Sequence, residues 1–77
     1  GSDLMVDNMV KIERILNNTK KGSILKINGI PKYKKYPEGR FLWISIESQP
    51  KLYYTTELLD THKDDKLTLV TKKRRIN

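Results

Sequence analysis

Apolar residues near the start of the chain recur every three or four positions, which is the spacing of one side of a helix. The positions that follow this spacing are Met5, Met9, Ile12, Ile15 and Leu16. Lys20 and Lys21 would fall in the last turn of such a helix, and Gly22 lies where it would end. The pattern predicts an amphipathic helix over about residues 5–20, with its apolar stripe packed on the rest of the domain.

After Gly22 the apolar period changes to two, which is typical of strands. The predicted strands cover residues 24–27, 32–36, 40–47, 51–55 and 66–71. Asn28-Gly29 is a strong hairpin signal, and Pro31 predicts that the second strand lies at a sheet edge. Thr56 is a candidate N-cap for one helical turn over residues 57–60, just before the last strand.

The third strand places aliphatic and aromatic side chains on opposite faces. Leu42, Ile44 and Ile46 share one face, and Phe41 and Trp43 share the other. If the aliphatic face is the core, both rings point to solvent. The alternative is that Trp43 is buried, because aromatic side chains dominate the area that a small fold can hide.

These elements predict an α+β fold, mainly β, in which a small five-stranded antiparallel barrel or bent sheet follows one N-terminal helix. The element order over residues 22–71, with a helical turn before the last strand, resembles the small barrels of Src-homology and Tudor domains, although no motif of either family is present. The resemblance implies an architecture and no function. We interpret residues 1–2 as a cloning remnant, 3–71 as one domain and 72–77 as a basic tail.

The charge balance indicates the class of partner. Sixteen Lys and Arg residues against nine Asp and Glu residues give a net charge of +7, which attracts a polyanion or an acidic protein surface. Residues 20–51 hold eight of the basic side chains and two of the acidic ones. The chain has no cysteine, which excludes a disulfide scaffold and thiolate catalysis. No apolar run approaches a membrane span and no signal peptide is visible, so we expect no membrane association and an intracellular setting, in cytoplasm or nucleus.

Aromatic side chains lie among these basic residues, and this mixture is typical of nucleic-acid binding. Lys and Arg neutralise phosphates, and flat rings stack on unpaired bases. The predicted nucleic-acid-binding residues are Lys26, Lys32, Tyr33, Lys34, Lys35, Tyr36, Arg40, Phe41 and Trp43. We therefore expect a small basic domain that binds DNA or RNA with little sequence preference. It would be an accessory module of a replication, transcription or recombination factor, or a small viral or mobile-element protein.

The alternative is a protein-interaction module. The same aromatic groove would take an extended peptide, or an unpaired strand edge would add a partner strand. The basic rim would then select an acidic partner, including a larger enzyme that this chain regulates. The sequence leaves the oligomeric state open.

Catalytic and metal chemistry has little support in the sequence. His62 is the only histidine and lies near Asp60 and Asp65, which is a composition that can bind a divalent ion but also that of any solvated loop. No further ligand or orienting partner is evident, so we expect no enzyme activity, no cofactor and no metal. The run Lys72-Lys73-Arg74-Arg75 either adds phosphate contacts, serves as a nuclear import patch, or is a solvated terminus.

Overall fold

The computed structural model describes residues 2–71, and the side chains of residues 9–71. The helices are α1 (Ser2–Asn17) and α2 (Thr55–Thr61), and the strands are β1 (Ile24–Ile27), β2 (Ile30–Lys35), β3 (Leu42–Ser45), β4 (Leu52–Tyr54) and β5 (Leu67–Val70). The expected α+β class, mainly sheet, is confirmed. The predicted basic tail, residues 72–77, lies outside the described residues. Within residues 2–71 no helix is long and apolar enough to cross a lipid bilayer.

The five strands form one antiparallel sheet in the order β4-β3-β2-β1-β5. Strands β4 and β5 are its two edges, so over the described residues the sheet is open rather than closed into a barrel. The prediction that β2 lies at an edge is wrong, because β2 lies in the middle. Pro31 is tolerated there because β3 pairs only with Tyr33–Lys35, and Pro31 lies beyond that stretch, next to a bulge in the β1–β2 ladder.

The predicted turn at Asn28-Gly29 is confirmed. Both residues have positive φ, 52° and 84°, as a tight two-residue hairpin requires. The Asn28 side chain also ties this turn to the segment before β5, since its Nδ2 donates to Asp65 Oδ1 at 3.0 Å and its Oδ1 accepts from the Lys66 amide at 2.9 Å.

One face of the sheet, called the inner face from here on, packs against both helices. The buried apolar side chains are Leu16, Leu25, Ile27, Trp43, Leu58 and Leu59. Trp43 has no exposed surface, and its indole Nε1 donates to Thr55 Oγ1 at 3.0 Å. The core is therefore small, and it is built around a single indole whose polar atom is satisfied inside.

Of the two possibilities for β3, the structure shows the one in which Trp43 is buried. Trp43 and Ser45 point to the inner face, whereas Leu42 and Ile44 lie half-buried on the opposite face. The indole occupies the core because it hides more area than an aliphatic side chain, and because the Thr55 hydroxyl accepts its N–H bond. Phe41 precedes the strand and is 51% exposed.

Helix α1 ends at Asn17 rather than near residue 20. In the part of its apolar stripe with described side chains, Leu16 enters the core, but Met9, Ile12 and Ile15 remain exposed. The expectation that the whole stripe packs on the domain is therefore wrong for these three residues. The physical reason is geometric, because only the last turn of α1 reaches the core that the sheet and α2 form.

Candidate nucleic-acid interface

The sheet face opposite the helices, called the outer face from here on, carries a row of side chains that crosses all five strands. The cross-strand partners in this row are, from β4 to β5, Leu52, Ile44, Lys34, Ile24 and Val70. Lys34 is exposed at the centre of the row, and Leu52 and Val70 are exposed at its ends. Because the strand residues of the core all lie on the inner face, the two helices leave this row open to solvent.

Two tyrosines lie on the same face, one strand on either side of Leu42. Tyr54 is the cross-strand partner of Leu42 and is 57% exposed. The Tyr36 amide donates to the Leu42 carbonyl at 3.1 Å, and Tyr36 follows the inward-facing Lys35, so strand alternation places it on the outer face. Two strand spacings put these residues about 10 Å apart, with Leu42 between them.

The strands carry no acidic residue. All nine carboxylates of the chain lie in helices, turns or loops, while β1 and β2 together contribute Lys26, Lys32, Lys34 and Lys35. Lys26 lies on the outer face opposite Thr68, and Lys32 is exposed beside the β-bulge. Over residues 9–71 no Lys or Arg side chain forms an ion pair with a carboxylate. Lys26 and Lys34 therefore give the outer face a positive field without an ion-paired carboxylate, whereas Lys32 lines a cavity together with Glu47.

Lys35 does not belong to this surface, and the prediction that it contacts a phosphate is wrong. It is 2% exposed and points to the inner face. Its Nζ donates to three backbone carbonyls, those of Leu16 and Asn17 at 2.9 Å and that of Arg40 at 2.6 Å. It also lies 5.4 Å from the centroid of the Trp43 ring. Burial lowers the pKa of Lys35, and the positive charge of Arg40 lowers it further.

Trp43 and Tyr33 are also directed inward. The prediction that Trp43 stacks on a base is wrong, because its ring has no exposed surface. Tyr33 is half-buried on the inner face, with its ring edge-on to Tyr53 at a centroid distance of 5.7 Å. Burial raises the pKa of Tyr33, and the neighbouring Tyr53 and Glu47 raise it further. Tyr33 is thus a protonated hydrogen-bond donor at neutral pH, and its ring is not free to stack.

Arg40 and Phe41 remain accessible in the connection between β2 and β3. The Arg40 guanidinium lies 5.6 Å from the centroid of the Phe41 ring, and its Nη2 donates to Asn18 Oδ1 at 2.7 Å. Phe41 and Tyr54 line a common cavity of about 150 Å³. The cation and the two exposed rings therefore lie at the end of the sheet that meets the helices, because the same cavity is lined by Glu13 and Asn17 of α1 and by Thr55 and Thr56 of α2.

Tyr54 was not among the residues predicted from the sequence. The alternation of side chains within β4 does not show whether Tyr54 or Tyr53 is the exposed ring, because β4 is only three residues long. The signal is its pairing with Leu42, which appears only when the register between β3 and β4 is known. The same register identifies Leu52 as a member of the exposed row.

His62 is part of a chain of hydrogen-bonded side chains. The Asp65 carboxylate only accepts hydrogen bonds, so His62 Nδ1 donates to its Oδ2 at 2.8 Å, and the other ring nitrogen, Nε2, is hydrogen-bonded to the Tyr33 hydroxyl at 2.8 Å. The bonds from His62 and Asn28 lower the pKa of Asp65. Among the described side chains no three His, Cys, Asp or Glu residues are grouped as metal ligands would be.

Comparison with known protein families finds no family that matches this chain. No curated protein and no solved structure matches it either. Any function must therefore be derived from its own fold and surface chemistry.

Proposed function

We propose that this chain is a small nucleic-acid-binding domain that contacts single-stranded DNA or RNA through the outer face, with little sequence preference. The observation that carries the proposal is the composition of that face. Lys34 lies at the centre of this face, Lys26 lies on one side of it along the strands, Tyr36 and Tyr54 lie on the other side, and no strand contains an acid. Lys32 at the β-bulge, and Arg40 and Phe41 in the connection between β2 and β3, are exposed next to the sheet, and we include them in the proposed interface.

The lysines supply the affinity in this proposal. Lys34 pairs with Ile24, and Lys26 lies two residues after Ile24 on the same face, so the two ammonium groups arise from diagonal positions about 7–8 Å apart. Each phosphate that they neutralise releases condensed counterions, which favours binding at low salt. Neither lysine has a competing carboxylate partner among the described side chains, so neither must break an ion pair first.

The rings supply the preference for unpaired bases. Tyr54 and Phe41 are more than half exposed, and stacking on a base contributes about 1–3 kcal/mol. In this proposal, Tyr54 and Phe41 stack on bases in place of Trp43, which is buried. Among the side chains of residues 9–71, no helix presents a row of amide or guanidinium groups to a groove, which agrees with weak sequence preference.

The biological setting and the finer architecture belong to the same proposal. We expect an intracellular accessory module of a replication, transcription or recombination factor, or a small viral or mobile-element protein, with no enzymatic activity, cofactor or metal of its own. The meander with a helical turn before its last strand supports kinship in architecture with small Src-homology-like and Tudor-like barrels.

The second candidate is a protein-interaction module for an acidic partner, and the aliphatic part of the outer face favours it. Leu52, Val70 and Ile46 are all exposed there or beside it, and aliphatic side chains contribute more to protein interfaces than to nucleic-acid contacts. The short edge strands β4 and β5 also offer unpaired backbone groups to which a partner strand can add.

The test is a fluorescence anisotropy titration of a labelled oligothymidine at about 50 and 200 mM salt. We expect the double variant Lys26→Gln/Lys34→Gln to bind about tenfold more weakly at low salt, with a slope against log salt that is smaller by about 1.4, because two phosphate contacts are lost. The control Lys11→Gln/Lys63→Gln removes the same charge from exposed positions away from the sheet and should bind like the unmodified protein.

Two results would contradict the proposal. One is the absence of binding at low salt, and the other is equal weakening in the two double variants, which would mean that only net charge matters. The second candidate predicts instead that a labelled Glu-rich peptide binds, and that Leu52→Ser/Val70→Ser abolishes this binding while oligothymidine shows none.

A further inference from the structure

A cleft of about 570 Å³ lies on the helical side of the molecule, away from the outer face. It is bounded by α1, by α2 and by the segment that leads into β5. Its floor is apolar and consists of Met9, Ile12, Leu59 and Leu67. Met9 is 41% exposed and Ile12 is also exposed, so this part of the α1 stripe has no partner among the described residues.

The rim of this cleft is acidic in a protein whose net charge is +7. Asp60, Asp64 and Asp65 line it, with Lys63 as the one cation and His62 as the remaining titratable group. No Lys or Arg with a described side chain pairs with any of these carboxylates. Three of the seven acidic side chains that the structure describes therefore lie around the apolar floor, on the other side of the sheet from Lys34.

One carboxylate of the rim, that of Asp65, is held in place by the rest of the fold. Asp65 accepts hydrogen bonds from Asn28 and His62, and His62 is in turn hydrogen-bonded to the Tyr33 hydroxyl. The bonds from His62 and Asn28 lower the pKa of Asp65, so its carboxylate is ionised at neutral pH. A partner that binds here meets an Asp65 carboxylate whose position is already fixed, which reduces the entropy lost on association.

We propose that this cleft is a docking groove for a basic amphipathic segment of a partner protein. Apolar side chains at helical spacing would pack on the Met9, Ile12, Leu59 and Leu67 floor, and the partner's Lys or Arg side chains would face the acidic rim. Charge complementarity identifies the partner, because a nucleic acid or an acidic peptide would be repelled by the rim. The inference goes beyond the proposed function, since the groove lies on the other side of the sheet and leaves the outer face free.

The test is a titration of the ¹⁵N-labelled protein with a synthetic amphipathic peptide of about fourteen residues, built from Leu and Lys at helical spacing. Two control peptides are used, one with the same composition in scrambled order and one with Glu in place of Lys. We expect the amphipathic basic peptide alone to shift the amide signals of Ile12, Leu59 and Leu67 in a saturable way, with little change at Lys34.

Variants separate the contributions of the rim and the floor. Asp64→Asn should lower the affinity for the basic peptide about threefold, and Ile12→Ser should lower it about fivefold. The double variant should lower this affinity by more than tenfold. Glu38→Gln removes the same charge from the exposed turn between β2 and β3 and should leave affinity unchanged. Because Asp64 and Ile12 are exposed, unchanged circular dichroism is expected for each variant.

Three results would overturn the inference. They are equal binding of the scrambled peptide, signal changes confined to the outer face, and affinity that is insensitive to Asp64→Asn and Ile12→Ser. Sedimentation of the protein alone adds a fourth, since a dimer that Ile12→Ser dissociates would mean that the groove is occupied by a second copy of this chain. None of these results depends on whether oligothymidine binds. The docking groove and the proposed function are therefore tested independently of each other.

Discussion

At the scale of single residues, the most informative side chain is Lys35. It comes from the middle of the sheet, yet its ammonium group donates to the last carbonyls of α1, those of Leu16 and Asn17, and to the Arg40 carbonyl before β3. Helix ends leave carbonyls without partners and carry partial negative charge, so a cation is favoured there. Lys35 thus replaces Lys20 and Lys21, which the sequence placed in the last turn of the helix.

Lys35→Met should lower the free energy of unfolding by about 2–4 kcal/mol, because three carbonyls lose a charged donor and two of these hydrogen bonds are buried. Chemical denaturation measures the effect. Lys34→Met is the matched control, since Lys34 is the exposed neighbour on the outer face, and it should change stability by less than about 0.5 kcal/mol. Equal stability of the two variants would contradict the assignment of Lys35 to the core.

The indole of Trp43 is held by one polar contact, from its Nε1 to the hydroxyl of Thr55. Thr55→Val keeps the shape of the side chain and leaves the buried N–H without an acceptor, so we expect a loss of about 1–3 kcal/mol in the free energy of unfolding. Thr56→Val, one residue further along α2 and exposed, should be nearly neutral. A neutral Thr55→Val would mean that the indole does not occupy the interior.

At the scale of elements, the sequence predicts most strands but not how they are assembled. The period of two identifies residues 24–27 and the later strands, because alternation is a local property. The face of β3 that enters the core is not local, since it depends on Thr55 meeting the Trp43 indole. The central place of β2 likewise depends on a bulge and on where β3 stops pairing, neither of which has a signal in the sequence around Pro31.

The sequence likewise predicts some residues of the candidate site correctly and misses others. The exposed lysines Lys26, Lys32 and Lys34 follow from composition and clustering, and the structure leaves all three accessible or half-accessible on neighbouring strands. Lys35 follows Lys34 in the sequence but is buried, because strand alternation turns its side chain toward the end of α1. Tyr54 could be assigned to the outer face only from the register between β3 and β4, which the sequence does not give.

The connection between the β1–β2 turn and the segment before β5 predicts a pH dependence of stability. The pKa of Asp65 is lowered in the folded state by its bonds to His62 and Asn28, so the unfolded chain takes up this proton first as the pH falls. The stabilising effect is complete above the ordinary carboxyl pKa of 3.8 and is lost as the pH falls through the lower folded-state value.

Denaturation at a series of pH values between about 5 and 2.5 tests this link. The unmodified protein should lose stability across the interval, and Asp65→Asn should flatten this slope because the titrating group is gone. Asp64→Asn, which removes the neighbouring carboxylate, should retain the slope. A curve for Asp65→Asn parallel to that of the unmodified protein would show that Asp65 carries no such linkage.

At the scale of the whole molecule, the strands differ in charge from the rest of the chain. They hold four lysines and no carboxylate, and Lys26 and Lys34 lie on the outer face. The helices, turns and loops hold all nine carboxylates, three of them around the cleft, but they also hold basic side chains such as Lys11, Lys20 and Lys63. A surface whose strands carry no acid and a local acidic rim thus lie on different sides of the sheet, which agrees with a domain that binds a polyanion on one side and a basic protein segment on the other.

An NMR titration of the ¹⁵N-labelled protein with oligothymidine at low salt tests whether nucleic acid binds at the outer face. We expect saturable shifts of the amide signals of Ile24, Lys34 and Ile44 and of the strand residues beside them, with Ile12 and Leu67 unaffected. The proposed binding is contradicted if no signal moves, or if the signals that move surround the acidic cleft while those of the outer face stay where they were.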